Sequence, residues 1–227
     1  MIAIVFLTYD RLDYAKRTLA SVAKHLKVSE DVWFHIADDG SPQEYRDTLW
    51  ALAKKHWGEN VSMTNSERRG YGASYNAATQ VVHPVADVIL PLEDDWVLSR
   101  PFDLDPIIKT LRGDLFGCVR MGYIGCTQEL RGKFMSAEGL WWLALDPDSP
   151  EPHVFAGHPR LELAEWERYV GPWPEGLAAG PTEFEVAHRR EARMGVAWPI
   201  DLIKPTGDAF VHIGTVPTAT MEERVTA

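Results

Sequence analysis

Three clusters of polar residues, each closing or following an apolar run, carry the chemistry open to this chain. Glu93, Asp94 and Asp95 stand in a row after the apolar segment that ends at Leu92. Adjacent like charges cost energy unless a cation or donor group compensates, and hard carboxylate oxygens suit Mg2+ or Mn2+. A divalent ion shared with a diphosphate would use such a row, although alone it also reads as a solvated acidic turn. Asp38-Asp39-Gly40-Ser41 is the second cluster. One carboxylate there can accept from the imide N–H of a pyrimidine or from a ribose hydroxyl, or simply turn the chain and cap a helix. In the third, Arg68, Arg69 and Gly70 precede a small-residue segment that reaches Asn76. Positive charge before a helix N-terminus makes a phosphate cradle, and a lone Arg-Arg pair also fits solvated surface.

The elements that must position these clusters alternate along the chain. Ile2 to Tyr9 is continuously apolar and β-branched, the pattern of a strand buried on both faces. Ala15, Leu19, Val22 and Leu26 then recur at helical spacing. Val32 to Ala37 is a second strand, and Ser41-Pro42-Gln43-Glu44 predicts a capping box opening a helix with Tyr45, Leu49, Leu52 and Ala53 on its buried side. A strand over 60–64, a helix over 72–82 with Ala73, Ala77 and Val81 inward, and a strand over 85–92 complete the unit. Such alternation implies a parallel sheet with right-handed crossovers, and ligands in such sheets bind at the carboxyl ends of the strands. All three clusters lie at those ends.

Beyond Pro101 the pattern predicts a helix from Pro106, strands near 118–124 and 140–145, and a loop rich in Pro and Gly. A helix after Pro181 carries Val186 and Ala187 inward with Arg189, Arg190 and Arg193 outward, followed by strands over 196–198 and 209–213. The last residues read as a frayed tail. This divides the chain into a nucleotide-type α/β half (1–100), a second half of the same domain (101–214) and a tail (215–227). Five of the nine tryptophans fall between Trp141 and Trp198; Trp141, Trp142, Trp173 and Trp198 offer a stacking wall for a sugar or another flat acceptor, or serve as core.

Composition narrows the classes. The 227 residues include 33 acidic and 23 basic ones, a net charge of −10, which opposes non-specific binding to nucleic acid or anionic lipid. The two cysteines, Cys118 and Cys126, fit neither a disulfide scaffold nor a four-ligand zinc site and predict reduced thiols. No charge-free stretch approaches the roughly 18 residues of a spanning helix, so a soluble, cytoplasmic protein is expected.

In order and spacing the clusters resemble the GT-A glycosyltransferases, especially the large family 2 group. The family's Thr-Tyr-Asn-Arg-like turn is matched by Thr8-Tyr9-Asp10-Arg11, with Asp10 in place of Asn. Its Asp-Asp-Gly-Ser is identical to Asp38 through Ser41, its Asn-x-Gly region resembles Asn65 to Asn76, and its Asp-x-Asp-type motif is represented by Glu93-Asp94-Asp95. The resemblance covers residues 2–100 well and the remainder loosely. It implies an α/β GT-A fold: a Rossmann-like, mostly parallel central sheet flanked by helices, with a smaller mixed subregion on the acceptor side.

Carried over, Tyr9 would stack on the base, Asp39 would read its imide, and Arg68 or Arg69 would contact base or phosphate. Thr8, Asp10, Arg11, Asp38, Gly70 and Asn76 would complete the donor site. Asp94 would meet ribose or metal, and Asp95, Glu93 and the late His212 would hold Mn2+ or Mg2+. The segment from Thr182 to Arg190 resembles the helix that carries the family's base, with Glu183 preferred and Glu185 in reserve. The activity implied is metal-dependent, inverting transfer of a sugar from a nucleoside-diphosphate sugar, UDP foremost, to an acceptor hydroxyl on a glycan, a protein, a small molecule or, less readily, modified nucleic acid. A nucleotidyltransferase would share the sheet and the metal, but it normally carries a glycine-rich loop after the first strand, where Thr8 to Asp13 has none. A silent sugar-nucleotide or glycan-binding module is the third alternative.

Overall fold

The computed structural model describes residues 1–121, 131–150, 157, 159–200 and 209–214. Cys126, the expected strand beyond Met121 and the C-terminal tail from 215 onward lie outside the described residues.

The N-terminal half alternates as its periodicity predicts: β1 (Ile2–Thr8), α1 (Leu12–His25), a short β2 (Leu26–Lys27), β3 (Val32–Asp38), α2 (Gln43–Trp57), β4 (Val61–Asn65), α3 (Tyr71–Val82) and β5 (Val88–Glu93). Short β6 (Trp96–Leu98) and β7 (Phe102–Asp103) lead into α4 (Asp105–Arg112). There follow β8 (Cys118–Arg120), β9 (Gly132–Ala137), β10 (Leu140–Leu145), β11 (Arg160–Leu163), α5 (Ala164–Val170), α6 (Ala179–Ala187), β12 (Val196–Pro199) and β13 (Phe210–His212).

Nine strands form one sheet in the order β4-β3-β1-β5-β11-β8-β12-β10-β9. The first four are mutually parallel. From β11 onward the sheet is mixed, with only β12 and β8 parallel. The expected α/β fold is therefore present, and its acceptor-side half continues the same sheet. β1 is buried along its whole length because both faces are covered. Ile2, Ile4 and Phe6 join a core with α1, α2 and α4, while Ala3, Val5 and Leu7 join another with α3, α5 and α6. Among the described residues no helix is long and apolar enough to cross a membrane.

Four local expectations are corrected. Ser41 does not cap α2. Its hydroxyl accepts from the Asp10 amide at 3.0 Å, so the helix begins only after Pro42, with no side-chain cap. On α3 Ala73 is buried as expected, but the buried side continues through Tyr75, Ala78 and Val82, whereas Val81 is exposed; Tyr75 packs against Trp173, 5.1 Å away between ring centres. β5 starts at Val88, because Val85 and Ala86 close the turn after α3 through bonds to the Val82 carbonyl. Arg189 and Arg193 do not project outward: they satisfy the carbonyls of Val170, Pro172, Ala187 and Ser149.

Candidate active site

Register fixes which residues meet. Thr8 of β1 lies beside Asp38 of β3, Leu7 beside Glu93 of β5, and Asp38 beside Asn65 of β4, so all three polar clusters open on one rim. Thr8 ties them together. Its carbonyl accepts from the Asp39 amide at 3.1 Å, and its hydroxyl donates to Asp94 Oδ2 at 2.9 Å.

The donor side is built from backbone and short carboxylates. Asp38 is buried, and its Oδ2 accepts from the amides of Gly40 and Ser41 at 3.2 and 3.0 Å, which turns the chain sharply. Gly40 sits at φ +93°, and a Cβ there would press to 2.7 Å from the Arg68 amide, so no side chain fits where the two loops cross. Asp39 reaches across that crossing and accepts from the Arg69 and Gly70 amides at 2.8 and 3.0 Å. Burial pushes its pKa up, partly offset by those amides and by Arg68. The Arg68 guanidinium lies 3.9 Å above the Tyr9 ring, a cation–π pair at the same loop crossing. Asp10 stands at φ 46°, the left-handed region that Asn and Asp tolerate best, which explains how Asp replaces Asn here.

Two expected donor residues are spent elsewhere. Asn76 bonds the backbone of Trp173 through both ends of its amide, at 2.9 Å each, and Arg69 pairs with Glu175 at 2.6 Å on the surface. Both hold the 173–175 segment over the start of α3, where a Cβ on Gly72 would collide with the Pro174 carbonyl.

The acidic row divides where β5 ends: Asp94 and Asp95 lie in the turn after Glu93 and share Arg11, while Glu93 lies against Gly157. Asp94, fully buried, accepts from Thr8 and pairs with Arg11; burial raises its pKa to about 6 against the pull of Arg11. Asp95 Oδ2 accepts from Arg11 at 2.8 Å and lies 3.3 Å from His212 Nε2. Glu93 turns instead to Gly157, whose hypothetical Cβ would collide with both the Glu93 carboxylate and that of Glu183. Glu93, Asp95 and His212 therefore do not form the expected three-ligand set, and no group of three potential ligands occurs among the described residues.

Asp95 and His212 still suit a cation as a pair. Asp95 Oδ1 is buried with no hydrogen-bond partner, and Gly214 packs where any side chain would meet both Asp95 and His212. An oxygen and an imidazole nitrogen fit Mn2+ or Mg2+ completed by phosphate oxygens.

Glu183 and Glu185 part company. Glu183 accepts from the Gly157 amide, and burial lifts its pKa to about 6, moderated by that amide and by Arg160 and Arg120. Burial also pushes Glu93 well above the ordinary carboxylate range, with Glu183 the next cause. Glu185 is exposed and faces Arg189 at 3.6 Å. The buried guanidinium groups of Arg120 and Arg160, directly opposite one another on β8 and β11, were not anticipated. Arginines inside the short runs Cys-Val-Arg and Arg-Leu-Glu-Leu were the available signal. Arg160 Nε bonds Glu162 at 2.8 Å, and Arg120 lies 5.1 Å over Trp198.

Comparison with known proteins agrees with this fold. No curated protein sequence matches. Among solved structures, S. aureus TarS 1-349 in complex with UDP-GlcNAc superposes with a TM-score of 0.67 at 14% identity, over 96% of this chain and 61% of that one. GalNAc-T7 with UDP, GalNAc and Mn2+ gives 0.63 at 18% identity, over 88% and 42%. The mannosyltransferase PcManGT from Pyrobaculum calidifontis with GDP-Man and Mn2+ gives 0.55 at 15%, over 87% and 56%. The chain thus spans less than two thirds of each of these proteins, and at such identities the likeness establishes the fold. The sequence profile of glycosyl transferase family 2 matches residues 3–152, and the chain belongs to that family.

Proposed function

We propose that this chain transfers a sugar from a nucleoside-diphosphate sugar, UDP-linked, to an acceptor hydroxyl with inversion at the anomeric carbon. The observation that carries the reading is the convergence of Asp39, Asp95 and Glu183 on one rim. Asp39 is linked to Thr8 through backbone, Asp95 neighbours the Asp94 that Thr8 holds, and Glu183 shares the Gly157 contact with Glu93 at the end of β5.

Tyr9 and Arg68 supply a flat, cationic face for a base, and Asp39 offers an acceptor oxygen to its imide. Asp95 and His212 would hold the divalent ion, which supplies Lewis-acid neutralisation of the leaving diphosphate. Arg11 donates toward the same negative charge. Glu183 Oε accepts the proton of the acceptor hydroxyl as the new C–O bond forms and the sugar–phosphate bond breaks. Its raised pKa keeps it a competent base near neutrality. TarS with UDP-GlcNAc and GalNAc-T7 with UDP and Mn2+ support the choice of donor and metal.

The test is UDP release from a panel of UDP- and GDP-sugars with Mn2+, with and without acceptor. Glu183→Gln is expected to bind donor as wild type does while losing transfer by roughly 10²–10⁴-fold. Transfer at the wild-type rate in that variant would remove Glu183 from the mechanism. Donor binding without turnover by the unaltered chain would leave a sugar-nucleotide-binding module.

A further inference from the structure

The far end of the sheet carries aromatic rings that the donor site does not use. Phe134 of β9 is 70% exposed and Trp141 of β10 is 53% exposed. Phe134 pairs directly with Leu143, and Leu143 with Trp198 of β12; Trp141, two residues from Leu143, shares their face. That face is the one covered nearer the sheet centre by α3, α5 and α6, because Leu143 and Trp198 pack into the same core as Tyr75 and Val186. Trp142, on the alternate face, is fully buried in the other core.

Strand direction brings this surface to the rim. β12 runs parallel to β8, and β8 and β5 are each antiparallel to β11, so the carboxyl ends of β5, β8 and β12 point the same way. β10 is antiparallel to β12, which places its first residues, Leu140 and Trp141, at that same end. Arg120 closes β8, Arg160 opens β11, and both guanidinium groups act on Glu183. Across the strands, Arg120 lies beside Trp198, both buried, and the row continues through Leu143 to Phe134, with Trp141 two residues beyond Leu143 toward the rim. At a strand spacing of about 4.8 Å, the three strand steps from Arg120 to Phe134 span roughly 14 Å. That separation exceeds one sugar ring.

We infer that Trp141 and Phe134 form an acceptor subsite for a carbohydrate chain, stacking on a sugar ring that lies one or more units away from the hydroxyl delivered to Glu183. The proposal rests on the transferase reading and names its acceptor class. Flat aromatic faces recognise the apolar C–H face of a pyranose, and Ser136, opposite Trp141 on the same face, adds a hydroxyl at the edge of the platform. Trp141 stands at the same end of the sheet as Glu93 and Arg120, which argues for an acceptor as its occupant over a second copy of the chain paired along β9.

The full chain is titrated with β-1,4-linked glucose, β-1,4-linked N-acetylglucosamine and α-1,4-linked glucose oligomers, from monosaccharide to hexasaccharide, following tryptophan fluorescence. In at least one series affinity is expected to rise with length from monosaccharide to trisaccharide and then level off. Trp141→Ala and Phe134→Ala should each weaken the longer oligomers about tenfold and leave monosaccharide binding unchanged. Trp50→Ala, an exposed aromatic on α2, should match wild type. Absence of length-dependent binding in every series, or equal affinity in Trp141→Ala, overturns the proposal. So does a Trp141→Ala variant that changes sedimentation state instead of affinity, which would assign the surface to self-association. Because the titration needs no turnover, oligomer binding without UDP-sugar binding would sink the transferase reading alone, and the reverse would sink the platform alone.

Discussion

Glu183 and Glu185 stand two positions apart on α6, and helical rotation sends them into different media. Glu183 turns inward to the Gly157 amide and the neighbourhood of Glu93, Arg160 and Arg120; Glu185 remains in water beside Arg189. A resemblance in sequence offers both carboxylates, and only burial separates them. The consequence is a pH dependence. Glu183 must be ionised to accept a proton, and burial raises its pKa from 4.5 to about 6. The transfer rate should therefore fall about tenfold per pH unit below roughly pH 6 and stay level just above it. A rate profile under subsaturating acceptor measures this limb. A limb near pH 4.5 would mean that the base is a solvated carboxylate.

At the scale of elements, the strand ends were legible because a parallel crossover returns every β-strand in the same direction. Once Ile2 to Tyr9 is read as a doubly buried strand, Asp39 and Asp95 must share a rim. The split within Glu93-Asp94-Asp95 was not legible, since it depends on which side each residue faces after β5 stops, and Glu93 finds its partner some ninety residues later on α6. Likewise Ser41 has the spacing of a cap, yet the Asp10 amide claims its hydroxyl.

The interior of β3 holds a separate testable group. His35 is fully buried, with Nδ1 2.7 Å from Ser62 Oγ and Nε2 3.1 Å from Thr64 Oγ1 on β4. Burial lowers its pKa from 6.5 to about 4. Between those values the unfolded chain binds a proton that the folded chain refuses, so stability present above pH 6.5 is lost as pH falls toward 4. The loss approaches about 3 kcal/mol. Urea unfolding across that range should show a shallower acid slope in His35→Gln than in the unaltered chain. Equal slopes would mean that His35 protonates within the fold.

For the molecule as a whole, a net charge of −10 meets a cleft already crowded with Asp94, Asp95, Glu93 and Glu183, and the nucleotide it is proposed to hold is itself an anion. Arg11 answers part of this by pairing with both Asp94 and Asp95. A cation arriving alone must compete with that guanidinium for Asp95, and a diphosphate arriving alone meets uncompensated carboxylates. Together they relieve each other: the diphosphate can take the Arg11 donors and share the cation held by Asp95 and His212. Thermal unfolding should then shift little with Mn2+ alone or UDP alone, and by more than the two shifts combined when both are present. At a hundred times the dissociation constant the gain is about 2.7 kcal/mol. Asp95→Ala should abolish the cooperative part while leaving the small effect of UDP. If Mn2+ by itself produced the entire shift, the acidic rim would be a self-sufficient ion site, and Arg11 would play no part in exchanging one counter-charge for another.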